Sequence, residues 1–191
     1  MKVVAFNGSP RANGNTYKMI LEVFKELERE DIETELVQLG GQLLHGCAAC
    51  SMCFKTKNRR CIIEDDVIND CIGKMDEADG IILGSPTYFS DVTPEMKTLI
   101  DRAGMVALAN DSMFKRKVGA SVVAVRRGGA VHTFDSMNHL FFICQMIVPG
   151  SSYWNLSVAW RQGDFERDDE GIRTMKTLGN NMAWLLKKLH A

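Results

Sequence analysis

The chain has 191 residues, 46% hydrophobic and 25% charged, and its 24 acidic and 23 basic side chains leave a formal net charge of -1. That is the length and composition of one ordinary globular domain, residues 1–191, and it excludes the basic footprint of a nucleic-acid binder. No apolar run reaches the ~20 residues of a membrane span, and "MKVVAFNGSP" lacks the regions of a signal peptide, so a cytoplasmic protein without a membrane partner is expected.

Val3 to Phe6 is a short, wholly apolar run that ends in "NGSPRANGNT"; Met19, Ile20, Val23, Phe24 and Leu27 then recur at helical spacing, which predicts strand, loop and amphipathic helix. "ETELVQL" alternates polar and apolar residues as a half-exposed edge strand does, whereas "GIILG" and "VGASVVAV" are apolar on both faces, as inner parallel strands must be. Glu64, Asp65 and Asp66 precede an apolar set at Val67, Ile68, Cys71, Ile72 and Met75; Thr93 and Pro94 precede another at Met96, Leu99, Ile100 and Ala103. Acids, a Thr cap and a first-position Pro all suit helix N-termini. Phe134, Met137, Leu140, Phe141 and Cys144 mark a further helix, "MIVPGSSYWNLSV" a fifth strand, and Ile172 to Leu189 a last helix.

Strands alternating with helices predict right-handed crossovers and a three-layer α/β domain. Five strands favour the flavodoxin-like order 2-1-3-4-5 in a parallel sheet, with residues 40–63 as a cysteine-bearing insertion after strand 2.

"NGSPRANGNT" stands between the first strand and the first helix, where backbone N–H groups and a helix N-terminus meet an anion. Gly8 and Gly14 permit the turns, Ser9, Asn15 and Thr16 can donate hydrogen bonds, and Arg11 can add a charge-assisted one. The loop is neither G-x-G-x-x-G nor G-x-x-x-x-G-K-[ST], which argues against a dinucleotide fingerprint and a nucleoside triphosphatase. "SPTYFSDVTP" leaves the carboxyl end of a buried strand beside the switch point, which brings Tyr88 and Phe89 near a flat ligand; "VRRGGAVHT" ends the next strand, where Gly128 and Gly129 let backbone amides approach it.

Together, "NGSPRANGNT", "GSPTYFSDVTPEMKTLIDR" and "RRGG", in this order, resemble the flavodoxin-like NAD(P)H-dependent FMN reductases over nearly the whole chain. The resemblance implies FMN, with its phosphate on Ser9, Arg11, Gly14, Asn15 and Thr16 and its ring against Pro86, Thr87, Tyr88 and Phe89. Gly128, Gly129 and Arg126, or Arg127 in its place, would then serve the polar end of the ring, where a cation favours the anionic reduced flavin.

Cys47, Cys50, Cys53 and Cys61 form C-x2-C-x2-C-x7-C in the insertion. In a reducing compartment so tight a set reads as metal or redox chemistry before disulfides. Three thiols in one C-x2-C-x2-C run are similar to the ferredoxin arrangement, whereas zinc sites pair their C-x2-C knuckles farther apart. Zinc, a redox-active thiol pair and free thiols stay open at this spacing. The motif resembles that of the iron-sulfur flavoproteins, a branch of the same fold, which implies a [4Fe-4S] cluster near the flavin; Lys55, Lys57, Arg59 and Arg60 would offset its negative charge. Cys71 and Cys144 lie at apolar helical positions and read as core.

The expected activity is that of an FMN oxidoreductase that passes electrons, as a hydride to flavin N5 where NAD(P)H is the donor, on to a small acceptor such as a quinone or flavin. No catalytic side chain is required, because the cofactor carries the chemistry. The alternatives are an electron-transfer protein serving a ferredoxin-like partner without NAD(P)H turnover, and a cluster-free or zinc-binding flavodoxin-like protein. The resemblance also implies a homodimer or homotetramer covering the flavin; Trp154, Trp160 and the "DSMF" segment are interface candidates where exposed.

Overall fold

A computed structural model describes residues 1–191. Alternation in the first strand, β1 (Lys2–Asn7), sets the layers: Val3 and Ala5 enter one apolar core, Val4 and Phe6 the other. The core on the Val3 side is filled by α1 (Asn15–Glu28) and α6 (Asp169–Leu189), and that on the Val4 side by α3 (Ile68–Glu77), α4 (Pro94–Ala109) and α5 (Ala130–Ile143). The other strands are β2 (Glu33–Gln38), β3 (Gly80–Pro86), β4 (Val118–Val125) and β5 (Leu156–Val158). All pairings are parallel and the order is β2-β1-β3-β4-β5, the flavodoxin-like topology expected from the sequence.

β2 is the half-exposed edge, and all eight residues of β4 are buried, as the apolar patterns require. Thr93 caps α4 with its hydroxyl, which accepts from the Met96 amide at 3.4 Å, and Pro94 opens that helix. Between β2 and α3 the chain forms only one short helix, α2 (Met52–Thr56).

The fifth strand is shorter than its sequence predicts. Only Leu156–Val158 pair along β4; Ile147 makes a lone bridge to Val118, and Pro149, Gly150 and two serines separate the two contacts. Pro lacks the N–H that a continuous ladder needs. Phe114 of "DSMF" is fully buried in the core on the Val4 side, because an aromatic ring gains more in that core than at a surface.

Candidate functional site

The carboxyl ends of β1, β3 and β4 open on a cleft where the strand order reverses, the usual binding crevice of such sheets. Ser9, Arg11, Asn15, Thr16, Pro86, Thr87, Tyr88 and Arg126 line it, together with Ala124, Ala159 and Trp160. Eight of the residues proposed from the sequence therefore converge on one surface.

The loop after β1 is held by side chains far away in the sequence. Gln38, at the end of β2, donates to the carbonyls of Ser9 (2.7 Å) and Gly40 (2.8 Å) and accepts from Asn7 (2.7 Å). Thr93 donates to the Gly8 carbonyl at 2.8 Å, so the cap of α4 is also a clamp on the loop. Gly40 packs so tightly that a Cβ there would lie 2.3 Å from the Ser9 carbonyl carbon. These contacts fix the loop before any ligand arrives.

Gly14 stands at the N-cap of α1 and supplies no side chain, so the first-turn amides have no cap within the protein. Thr16 is 1% exposed, lines the cleft, and its hydroxyl bonds to nothing else in the chain. Uncapped amides, a free hydroxyl and Arg11 form an anion site at the positive end of a helix. Asn15 lines the cleft and is also a tie: its amide nitrogen donates to the Arg161 carbonyl at 2.9 Å and its oxygen accepts from the Phe165 amide, joining the loop after β5 to α1.

Trp160 lies in that tied loop. The Arg126 guanidinium stacks 4.4 Å from its ring centre, and Arg11 donates to its carbonyl at 3.3 Å. The cleft encloses about 90 Å³, below the ~300 Å³ of small ligand sites, because this stack fills the space beside the loop. Phe89 is fully exposed and off the cleft, and Gly128 is exposed with nothing near it. Gly129 (φ +88°) caps α5, where a side chain would strike Ser90, and its carbonyl accepts from Thr133, whose hydroxyl reaches Thr87 at 3.1 Å.

Cys47, Cys50, Cys53 and Cys61 bound a second cavity, together with Ile63, Arg102, Met105 and Val106 among others. All four are free thiols. Burial pushes the Cys53 thiol above its ordinary value, and burial holds Cys71 and Cys144 at about 12 and about 11, as core residues. The cavity is small, about 20 Å³, and no three His, Cys, Asp or Glu side chains lie close enough to hold a single ion. A tetrahedral zinc needs its thiolates roughly 4 Å apart, from Zn–S ≈ 2.3 Å; a polynuclear cluster keeps them farther apart, since irons and sulfides lie between. Four thiols around one cavity, with a buried cation on its wall, are the donor set and counter-charge an anionic polynuclear cluster would need, in a space larger than this one.

That cation is Arg102, whose ion pair with Asp66 has both side chains 0% exposed. Burial opposes ionisation of Asp66, but bonds from the His45 amide, Arg102 and the Ile68 amide outweigh it and hold its carboxyl below the usual range. Neither Arg102 nor Gln38 was visible as a site residue in the sequence, since a basic residue in an apolar helix and a polar end to an edge strand are common. Trp160, an interface candidate by residue type, lines the cleft and stays half exposed.

Comparison with known proteins agrees with this architecture. The NADPH-dependent FMN reductase family matches residues 1–161. The iron-sulfur flavoprotein MJ1083 of Methanocaldococcus jannaschii is 38% identical over 98% of both chains, and the iron-sulfur flavoprotein of Methanosarcina thermophila is 30% identical over 98% of this chain and 96% of its own. Among solved structures, RosB bound to a formylated riboflavin phosphate intermediate superposes at TM-score 0.79 with 18% identity, covering all of this chain and 80% of RosB. The WrbA-like flavodoxin of Agrobacterium tumefaciens gives 0.69 with 17% identity, over 98% and 97% of the two chains. The chain therefore belongs to the NADPH-dependent FMN reductase family, in its iron-sulfur flavoprotein branch.

Proposed function

We propose that this FMN-dependent oxidoreductase draws electrons from NAD(P)H or a reduced carrier and passes them to a small acceptor such as a quinone or flavin, with a [4Fe-4S] cluster on Cys47, Cys50, Cys53 and Cys61. The observation that carries the reading is the course of α4. Thr93 at its cap holds the loop beneath the cleft, and Arg102, nine residues on, lines the cysteine cavity. At 1.5 Å per residue those two points are roughly 14 Å apart, so one rigid helix joins the two sites.

When bound, FMN supplies two-electron chemistry and the cluster one-electron chemistry. Ser9, Arg11, Thr16 and the first-turn amides of α1 bind the phosphate, Pro86, Thr87 and Tyr88 flank the ring, and Arg126 sets positive charge beside it. The protein's part is binding, orientation and electrostatics; no side chain acts as acid or base.

A second reading, electron transfer with a ferredoxin-like protein, is favoured by Lys55, Lys57 and Arg60, which are exposed near the cysteines and form no ion pair. Anaerobic stopped-flow mixing separates the two. Bleaching of the flavin by NADPH or NADH within seconds supports the first; bleaching by reduced ferredoxin alone supports the second. We further propose a homodimer or homotetramer, supported by the open groove between α4 and α5 that Ile100, Met105, Leu108 and Ile143 line.

A further inference from the structure

Arg102 is more than half of a buried ion pair. A guanidinium taken out of water costs several kcal/mol unless its N–H groups are paired, and most of those of Arg102 are. One terminal nitrogen bonds Asp66 and the His45 carbonyl (3.0 Å), and the other the Ile63 carbonyl (2.8 Å). His45 lies two residues before Cys47 and Ile63 two after Cys61, so this single side chain ties both ends of the cysteine segment to α4. Those three bonds use three of its five N–H groups, and Nε is the one guanidinium nitrogen with no acceptor at all. It is the sole side-chain nitrogen or oxygen wholly cut off from solvent that has no partner, the free Thr16 hydroxyl facing the open cleft, and Arg102 forms part of the wall of the cavity that the four cysteines bound.

A buried donor without a partner is rare and demands an explanation. We infer that Arg102 is a positioning and tuning residue whose Nε–H donates a hydrogen bond to a sulfur of the cluster held by Cys47, Cys50, Cys53 and Cys61. The inference rests on the cluster proposed above. A charge-assisted bond to an anionic cluster stabilises its reduced, more negative state most, so Arg102 raises the reduction potential. Asp66 fixes the guanidinium and leaves Nε–H free for the sulfur.

The test is Arg102→Lys, which keeps the charge and a partner for Asp66 but has no Nε–H. Iron content and an EPR-monitored redox titration are measured beside the wild-type protein. The expected result is an iron-replete variant whose cluster is reduced with an equilibrium constant at least tenfold lower, a shift of about 59 mV to the negative for one electron, while the flavin potential stays in place. An unchanged cluster potential at equal iron content overturns the inference and leaves the cluster reading intact. A wild-type protein reconstituted without air that takes up no iron overturns both. Where the Lys variant loses its iron, wild-type protein carrying arginine labelled with ¹⁵N in the guanidino group decides: ¹⁵N modulation of the reduced cluster's spin echo supports the bond, and its absence overturns it.

Discussion

Thr16 and Asp66 show how little chemistry a single residue needs once the fold has placed it. Thr16 is almost wholly buried yet keeps an unpaired hydroxyl at the uncapped start of α1. Thr16→Val keeps the shape and removes the donor. A hydrogen bond to a charged group contributes about 1.5–3 kcal/mol, so FMN affinity should fall about tenfold to a hundredfold in a fluorescence titration, with the melting temperature nearly unchanged. Asp66 predicts a pH effect. Its carboxyl titrates lower in the folded state than when unfolded, so its contribution to stability is complete above the unfolded value of about 4 and is lost as pH falls through the lower folded value. Urea titrations across pH 2.5–7 should show that acid loss in the wild-type protein. Asp66→Asn, which leaves the buried Arg102 charge without a carboxylate, should already be destabilised by about 3–5 kcal/mol at neutral pH and show a weaker acid slope.

At the scale of elements, the helices and inner strands were legible because each carries a periodic apolar face: Met19, Val23 and Leu27 of α1 are buried as their spacing requires. The segment before β5 was not legible, since a run such as "MIVPG" has strand composition while its proline ends the ladder. Nor were the clamps: Gln38 and Thr93 act on the loop across 29 and 85 residues of sequence, and no local pattern encodes such pairs. The cysteine segment is the reverse case: its spacing alone predicts that four thiols meet, and they do bound one cavity in a stretch with little regular structure. Replacing any one of Cys47, Cys50, Cys53 or Cys61 by Ala should lower iron content after anaerobic reconstitution, whereas Cys144→Ala, in the core behind α5, should retain it. Equal iron in all five variants would remove the cysteines from the site.

For the molecule as a whole, topology does what no residue does alone. The reversal of strand order sets the β1 and β3 loops side by side, and α4 runs from the phosphate loop to the cysteine cavity. No helix is long and apolar enough to cross a membrane, and the large exposed apolar side chains Phe142 and Ile143 at the end of α5 favour burial against another copy. Light scattering during gel filtration should therefore give a mass of two or four chains of 21.3 kDa; a monomer at micromolar concentration would count against that assembly.

The central claim is that one chain holds a flavin and an iron-sulfur cluster at two places along α4. It is tested most directly by the UV-visible spectrum of protein purified without air, recorded before and after dithionite. The account predicts flavin bands over a broad charge-transfer background, both bleached on reduction. A clean flavin spectrum without that background would contradict the cluster, and a colourless protein that also fails to bind added FMN would contradict the account entirely.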